Sequence, residues 1–486
     1  MRRRNFASAQ HSSRGCFSPE LESFLSLTYR ITAMLLPSPT SRTASSGKLL
    51  RSLTLATFGA LMLATTSCSV PEAILSGDRV NVMPEIVIET ASPDALAEGA
   101  GLPEMVNLNS ARMPGSDSGH SGGNSKLQPP LSTSWRSKIG MGGTDLTELA
   151  LPVVGDGRVY TVSPDGTVSA FDVKNGAAIW STVIEDKGDD PLPGIGGGLA
   201  LSPEGLVVHA GGQALSLLDA ASGELIWIVD MKIPLRGGPT IIGTDRVAVT
   251  DLDGNMKVHL LVSGEQLWVH YGIAAGTILF GAPAPAYAND EIALAGAGGE
   301  VSYFDAGNGE LLWTDSVASL LPRTPIQNLG DVRAHPVHDG GLIFVIGQSG
   351  RIVAFSARNG LPVWERAIAG MEMPWLAGET IFVLSLDGRL YAIRREDGVI
   401  RWVTELDGAV PLNVVVPENP TRYFGPVVAG DRVHVVSQAG TIVSFNPDSG
   451  QEVERLSLGR EVRTPPQVAA GRMFVMGHNG TLVAVE

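Results

Sequence analysis

Cysteine is nearly absent from this 486-residue sequence, which contains only Cys16 and Cys68. From residue 69 onward the chain is therefore predicted to fold without a disulfide or a cysteine-ligated metal. The sequence also lacks an excess of positive charge, since its formal net charge is −15. The first 67 residues hold eight basic and two acidic residues, so the remainder carries −21. Such an acidic surface repels phosphate backbones, and nucleic acid is not expected as a partner.

A long apolar run is also lacking. The apolar stretch from Leu53 to Ala64 is shorter than the roughly 20 residues that a membrane-spanning helix needs. It follows Lys48 and Arg51 and precedes small residues, which is typical of a secretory signal. Cys68 then occupies the position of the acylated cysteine of a lipoprotein, although an incidental cysteine beside an ordinary cleavage site remains the alternative. Residues 1–67 are thus interpreted as a signal or leader region.

Met34 is a more natural start for such a signal than Met1, because residues 1–33 have no part in it. Residues 68–130 show little apolar periodicity, and residues 109–125 read NSARMPGSDSGHSGGNS. This glycine- and serine-rich composition is typical of flexible linkers. We therefore expect residues 68–130 to be a lipid anchor followed by a disordered tether.

From residue 131 onward a short motif recurs, in which glycine precedes tryptophan by four positions. Successive copies are 38 to 52 residues apart, and a period of this size indicates a repeat array. In the seventh copy, SGQEVE, Glu454 takes the tryptophan position. The structural tryptophans of the array are Trp135, Trp180, Trp227, Trp268, Trp313, Trp364 and Trp402.

Each period contains four short strands with alternating apolar residues, as in residues 152–184. Four strands repeated every ~40–45 residues favour a β-propeller. The last unit supplies three strands only, and STSWRSKIG around Trp135 supplies a fourth. Residues 131–486 are therefore predicted to form an all-β, eight-bladed propeller whose N-terminal strand completes the last blade. Each tryptophan would mark an outer strand and pack between blades, while glycine adopts φ > 0 in the turn.

The pattern A-[FL]-D-x-x-x-G-x-x-x-W resembles the repeat of the quinoprotein-like propellers. Over residues 131–486 the chain is most similar to the BamB branch, whose members belong to the β-barrel assembly machinery of the outer membrane. The resemblance is strongest in LRGGPTIIGTDRV, NLGDVRAHPV, AGMEMPWLAGETIFVLSLDGRLYAI and RYFGPVVAGDRVHVVSQAGTIVSF. It implies an eight-bladed, periplasmic, lipid-anchored scaffold that acts without a cofactor.

The quinone-dependent dehydrogenases are the alternative branch. They need a quinone, a calcium ion, a catalytic Asp and typically a vicinal cysteine pair, and the propeller has no cysteine. No metal site is expected elsewhere. The DLDGN sequence at Asp251 recurs as a hairpin in other blades and lacks the spacing of a calcium loop. His335 and His338 are three apart, which does not suit one face of a strand.

The resemblance also implies that loops at one rim of the ring bind the POTRA domains of the BamA-like barrel-inserting protein. Counting blades places the partner-binding positions at Leu279, Phe280, Asp331 and Arg333. Phe280 stands where the family has Arg, and Arg333 where it has Asp. PLRGGP, with Leu235 and Arg236, matches the family motif by its letters but lies one blade too early, so it is interpreted as a connection between blades.

The predicted function is thus a non-enzymatic scaffold for outer-membrane protein assembly, held at the periplasmic face of the outer membrane by a lipid on Cys68. Nascent outer-membrane proteins are possible further partners. Two alternatives remain open: a quinone-dependent periplasmic dehydrogenase and a soluble periplasmic propeller that binds another ligand.

Overall fold

A computed structural model describes residues 89–144, 147–185, 197–273, 281, 283–318, 330–408 and 421–486. Within these ranges the protein is almost entirely β-structure. One short helix, α1, spans Pro93–Ala97 and has a proline in its first turn. No helix in the described ranges has both the length and the apolar character needed to cross a membrane.

The described residues form 32 strands. In chain order they are β1 Thr133–Lys138, β2 Val153–Gly155, β3 Arg158–Val162, β4 Thr167–Asp172, β5 Ala178–Val183, β6 Gly198–Leu201, β7 Leu206–His209, β8 Ala214–Leu218, β9 Leu225–Asp230, β10 Thr240–Ile242, β11 Arg246–Thr250, β12 Met256–Leu260, β13 Gln266–His270, β14 Ala286–Ala288, β15 Glu291–Ala295, β16 Glu300–Asp305, β17 Leu311–Ser316, β18 Val337–Asp339, β19 Leu342–Ile346, β20 Ile352–Ser356, β21 Pro362–Arg366, β22 Trp375–Ala377, β23 Thr380–Leu384, β24 Arg389–Arg394, β25 Ile400–Glu405, β26 Tyr423–Ala429, β27 Arg432–Ser437, β28 Thr441–Phe445, β29 Glu452–Ser457, β30 Gln467–Ala469, β31 Arg472–Gly477 and β32 Thr481–Val485.

These strands pair into eight four-stranded antiparallel sheets, the blades of a propeller. Blades 1 to 7 each contain four consecutive strands, from β2–β5 to β26–β29. Blade 8 contains β30, β31 and β32, with β1 as its outer strand. The register between β1 and β32 runs from Thr133 opposite Val485 to Lys138 opposite Thr481. The predicted fold is therefore confirmed, including closure of the ring by the N-terminal strand.

The strands differ in burial according to their place in the blade. The inner three are buried along almost their whole length, because both faces of each sheet contact a neighbouring blade. The outer strand alternates between exposed and half-buried positions, as in β5 and β29. The core is consequently divided into clusters between adjacent blades. Burial of apolar surface at these seams, at roughly 25 cal/mol per Å², supplies most of the stability of the ring.

Each of the seven repeat tryptophans lies in an outer strand and faces the next blade. In six of them the indole N–H donates a hydrogen bond to a main-chain carbonyl there, for example from Trp402 to Pro447 at 2.6 Å and from Trp313 to Ala357 at 2.8 Å. Trp268 differs, because the equivalent carbonyl, Ala306 O, accepts a bond from Arg246 instead. The tryptophans therefore join the blades by a polar contact as well as by packing.

The glycine of each repeat packs against the tryptophan of the preceding blade. Gly398 has φ = +73°, and a Cβ there would lie 2.6 Å from the indole of Trp364. Gly450 is related in the same way to Trp402, with a Cβ also at 2.6 Å. The turn thus needs glycine for two independent reasons, its backbone conformation and the contact with the neighbouring blade.

Glu454 takes the tryptophan position of blade 7, beside the place where the chain enters blade 8. One carboxylate oxygen accepts a hydrogen bond from the main-chain N–H of Leu131 at 2.6 Å. The other pairs with Arg432. Glu454 therefore holds Leu131, the residue that leads into β1, in place. An indole could not accept this hydrogen bond, because its only polar group is an N–H donor.

Residues 89–130 differ from the disordered tether expected from their composition. They lie against the propeller, where Glu98 forms ion pairs with Arg394 and Arg401. Further along, Ala111 pairs with Val154 of β2 in an antiparallel bridge. The physical reason is that small residues allow a backbone to approach the inner strands closely, which composition alone cannot distinguish from flexibility. Residues 68–88 of the predicted tether lie outside the described residues.

Candidate functional site

The central channel of the ring has two mouths. The inner strands, from β2 to β30, line it. The antiparallel order places every connection between blades on one face, here called the upper face. The hairpins between first and second strands and between third and fourth strands lie on the opposite, lower face. Loops at such a rim, held by a rigid ring, are the usual place for binding residues in propellers.

An ion pair spans the upper mouth. Arg333 precedes inner strand β18 of blade 5, and Glu148 precedes β2 of blade 1, on the opposite side of the ring. A guanidinium nitrogen of Arg333 lies 2.5 Å from a carboxylate oxygen of Glu148. The other terminal nitrogen lies 4.0 Å from Glu372, which precedes β22 of blade 6. One arginine therefore connects three blades across the channel.

A second ion pair lies deeper in the same mouth. Arg236, between β9 and β10, pairs with Asp331, and both side chains are at most 5% exposed. The Leu235–Arg236 segment is thus a connection between blades, as expected from its position one blade before the family motif. A buried pair of this kind costs desolvation and stabilises the fold only where its geometry is good. Its effect here is to hold the connections of blades 3 and 5 in one arrangement.

Burial also shifts the titration of groups in this mouth. Loss of solvent raises the pKa of Glu372, which the nearby Arg333 only partly offsets. Burial lowers the pKa of His335 to about 3, and His120 and Arg333 add to this shift. The ring of His335 is therefore neutral at physiological pH, and its Nδ1 accepts a hydrogen bond from Ala284 N–H at 2.7 Å. The charges available in the mouth are those of the arginines and their carboxylate partners.

Of the four predicted partner-binding residues, the structure describes two, and both lie in the upper mouth of the channel. Leu279 and Phe280 lie outside the described residues. Asp331 is 2% exposed, and the side chain of Arg333 is 14% exposed. Both contact other channel residues, so neither presents a free side chain on the outer rim. Cys68 also lies outside the described residues.

Sequence reasoning missed Glu148 and Glu372 and did not assign Arg236 to the channel. Each occupies the connection that leads into an inner strand, three to five residues before the strand begins. The sequence does contain a pattern that could have indicated them, because a charged residue recurs three to five residues before the inner strand in connections that are otherwise apolar or glycine-rich. Together with Arg333 and His335 these residues border a cavity of about 140 Å³ at the mouth.

Two apolar side chains on the upper face are strongly exposed. Tyr271 and Ile273 follow β13 and are 76% and 71% exposed. They border a cavity of about 220 Å³ between blades 3 and 4 that also contacts Arg236 and Glu300. An exposed tyrosine beside an apolar cavity has the composition of a protein-binding hot spot. These residues immediately precede the segment that contains Leu279 and Phe280.

The residues considered as metal ligands have other partners. Asp251 lies in the β11–β12 hairpin, as predicted, and its carboxylate accepts hydrogen bonds from Asn255 and pairs with Lys257 at 3.0 Å. His338 lies 2.6 Å from the hydroxyl of Tyr303, away from His335. Within the described ranges no group of three or more His, Cys, Asp or Glu side chains is arranged to hold a metal ion.

The ring of eight four-stranded blades, seven of them with the repeat tryptophan in the outer strand, defines a quinoprotein-like propeller. The family profile described as "Outer membrane protein assembly factor BamB" matches residues 132–193, 164–404 and 417–486. The chain belongs to this family. The resemblance stated from the repeat motifs is thereby confirmed.

Individual relatives agree with this assignment. The outer membrane protein assembly factor BamB of Shewanella oneidensis is 24% identical over 359 residues, covering 72% of this chain and 88% of the relative. BamB of Escherichia coli is 22% identical over 358 residues, covering 73% and 88%. The crystal structure of BamB from Moraxella catarrhalis has a TM-score of 0.61 at 20% identity and covers 73% of this chain and 99% of that chain. At this identity the structure supports the fold alone.

Proposed function

We propose that this protein is a non-enzymatic scaffold subunit of the machinery that assembles β-barrel proteins in the outer membrane. In this proposal its upper face docks the POTRA domains of the barrel-inserting protein. The supporting observation is the family profile, which covers the propeller from residue 132 to residue 486 with one short gap. The proteins it describes are named as outer-membrane assembly factors.

The channel contacts suit a scaffold. Arg333 and Glu148 join opposite blades, and Arg236 and Asp331 join connections two blades apart. These ion pairs hold the upper face in one conformation before any partner arrives. A preorganised surface loses little conformational entropy on binding, so more of the contact energy remains as affinity.

The docking position is assigned to the upper face of blades 3 and 4. Tyr271 and Ile273 offer exposed apolar area there, whereas Asp331 and Arg333 are occupied by other channel residues. Leu279 and Phe280 remain predicted contacts in the adjoining segment. Asp331 and Arg333 would then act by positioning the connection between blades 4 and 5, and not by touching the partner.

The test is binding of the purified full chain to the purified POTRA domains of the barrel-inserting protein. The double change Tyr271→Ala with Ile273→Ala should weaken binding by about 2 kcal/mol, or roughly 30-fold, if these residues form a hot spot. Val262→Ala is the matched control, because Val262 is 69% exposed on the same blade but lies in the β12–β13 hairpin of the lower face. Equal affinities for both variants and the wild type would place the docking surface elsewhere.

We also propose that a lipid on Cys68 holds the propeller at the periplasmic face of the outer membrane. Glu89 already contacts the propeller, since its carboxylate accepts a hydrogen bond from Ala367 N–H at 3.0 Å. Only residues 69–88 then separate the anchor from the ring, and 20 residues reach at most roughly 70 Å. The lipid would therefore keep the propeller within that distance of the membrane.

The dehydrogenase alternative rests on fold likeness. A quinohemoprotein alcohol dehydrogenase from Comamonas testosteroni has a TM-score of 0.58 at 13% identity. A shared fold does not establish a shared activity. Adding pyrroloquinoline quinone and calcium to the purified protein and measuring dye reduction with alcohols distinguishes the two functions. Turnover above that of the free cofactor would contradict the non-enzymatic assignment.

A further inference from the structure

The lower mouth of the channel is occupied by a loop of the N-terminal segment. The loop, residues 106–126, is closed at its neck, because Val106 N–H donates to Asn124 O and Lys126 N–H donates to Val106 O, both at 2.9 Å. We call it the plug loop. Its two ends are therefore fixed to each other, and the residues between them enter the ring as one unit.

The plug loop contacts the inner strand of every blade in turn. Starting at blade 8, the chain passes blades 1 to 6 and finishes at blade 7. The contacts are Ala470 N–Leu108 O at 2.7 Å, Val154 N–Ala111 O at 2.8 Å, Leu201 N–Arg112 O at 2.9 Å, Ile241 N–Met113 Sδ at 3.2 Å, Tyr287 N–Ser118 O at 2.7 Å, His338 N–Gly119 O at 2.8 Å, Gly123 N–Leu376 O at 2.9 Å and Gly430 N–Ser125 O at 2.9 Å.

The unpaired edges of the inner strands explain these contacts. An inner strand is paired on one edge only, and its other edge presents unpaired N–H and C=O groups to the channel. Buried main-chain groups without partners cost free energy comparable to a lost hydrogen bond. The plug loop provides a partner at each blade, so it satisfies the free edge of the ring much as β1 completes the outer edge of blade 8.

Side chains from the ring also hold the plug loop. Trp375 donates its indole N–H to Gly123 O at 2.8 Å, and Gln467 donates to Met113 O at 2.8 Å. His120 is fully buried, and its Nδ1 lies 2.8 Å from Pro336 O. Side chains of blades 6 and 8 therefore bind the backbone of the loop, and the loop in turn contacts the connection into blade 5 through His120.

The small residues of the loop fit this position closely. A Cβ at Gly122 would lie 2.2 Å from the indole of Trp375, and a Cβ at Gly119 would lie 2.7 Å from His338 O. Trp375 is 1% exposed and belongs to the core between blades 6 and 7, so it has no room to move away. The composition that is typical of a flexible linker here permits close contact with the strands.

We propose that the inner-strand edges at the lower mouth form a ring-shaped peptide-binding surface, that residues 106–126 of this chain are its occupant, and that this plug loop clamps all eight blades. The ring then has two closures, β1 at its outer edge and the plug loop at its centre. The plug loop then occupies the lower mouth of the channel. This assignment does not depend on the proposed function.

Hydrogen exchange of the full chain tests the proposal directly. Main-chain amides of Leu201, Tyr287, His338 and Ala470 donate to the plug loop, so they should exchange as slowly as amides in the middle strands of their blades. The amides of Ala111 and Gly123 should be protected as well. Exchange of the plug loop within seconds in the wild-type protein would overturn the proposal.

A substitution then tests whether the loop acts as a unit. Gly122→Ala places a methyl group against Trp375 and should release the loop. Exchange should become about tenfold faster or more at Val154 and Leu201, which lie in blades 1 and 2, outside the apolar cluster of Trp375. Gly341→Ala is the matched control, because a Cβ there meets nothing within 4 Å, and it should behave as the wild type. Acceleration confined to blade 6, or none at all, would overturn the clamp.

A cross-link keeps the test available if Gly122→Ala does not fold. Ala111 and Val154 are buried and exchange two main-chain hydrogen bonds, so Ala111→Cys with Val154→Cys should form a disulfide on mild oxidation. Each single variant is a control for pairing with a native cysteine. A folded double variant that stays reduced would contradict the position of the plug loop.

Discussion

Replacing Trp135 with alanine tests how strongly β1 holds the ring closed. Trp135 is 9% exposed and lies at the seam between blades 8 and 1. Its ring centroid is 5.9 Å from that of Phe474, and its indole N–H donates to Val173 O at 3.2 Å. A Cβ at Gly176 of blade 1 would lie 2.4 Å from the same indole. The seam that joins the two ends of the propeller is therefore built like the seams within it.

The expected loss follows from these contacts. Truncating a buried tryptophan to alanine costs about 3–5 kcal/mol. Loss of the indole donor leaves the Val173 carbonyl without that partner, which adds about 0.5–1.5 kcal/mol. Trp402→Ala is the internal comparison, because Trp402 is 3% exposed and makes the same type of bond to Pro447 at 2.6 Å. Both variants should lower the free energy of unfolding by about 4 kcal/mol.

The measurement is urea denaturation followed by far-ultraviolet circular dichroism, since removing a tryptophan alters the fluorescence itself. Arg136→Ala is the control in the same strand, because Arg136 is exposed, and it should change stability by less than about 0.5 kcal/mol. A loss of less than about 1 kcal/mol for Trp135→Ala, beside 3 kcal/mol or more for Trp402→Ala, would show that Trp135 contributes little to the seam. The ring would then be held closed by something other than β1.

Three further predictions concern the repeat glycine, a buried histidine and the anchor. In urea denaturation, Gly398→Ala should lower the free energy of unfolding by about 1–3 kcal/mol more than Gly157→Ala does. Both glycines have φ near +73°, but only a Cβ at residue 398 would contact a tryptophan. Equal losses would mean that the backbone conformation alone selects glycine. Burial lowers the pKa of His434 to about 4, below its unfolded value of about 6.5, so the unfolded state binds the proton first and stability falls as pH drops below 6.5. That loss is about 2 kcal/mol between pH 6.5 and 5, and His434→Gln should remove this part of the pH dependence; an unchanged slope would contradict the assignment. Cys68→Ala should release the protein from the membrane fraction into the soluble periplasmic fraction, and membrane association without lipid on the N-terminus would rule out the anchor.

The predicted partner-binding residues show what counting along the sequence leaves open. Blade counting places Asp331 and Arg333 in the connection that precedes β18. It could not show which way their side chains point, because a connection on the upper face borders both the outer rim and the channel. Their partners, Arg236 and Glu148, come from blades 3 and 1 and lie 95 and 185 residues away in the chain. No local pattern connects such positions.

The N-terminal segment shows a different limit of sequence reasoning. Glycine and serine are common in flexible chains, and they are also the residues that let a backbone lie against another strand. Gly119 and Gly122 are required here by contacts with His338 and Trp375. Those contacts form only after the ring has brought its inner strands together, so the segment alone carries no pattern that distinguishes order from disorder.

The four-stranded repeat, the number of blades and the closure by β1 could be predicted from the sequence, because strand alternation and turn glycines are local properties. The sequence also located the tryptophan of each repeat. The packing of the glycine of one repeat against the tryptophan of the preceding one, as for Gly450 and Trp402, is visible only in the folded ring. The same holds for the Arg333–Glu148 pair across the channel and for the plug loop within it. In a closed ring the decisive contacts join residues of different repeats, and their identity depends on the geometry of closure, which no single repeat contains.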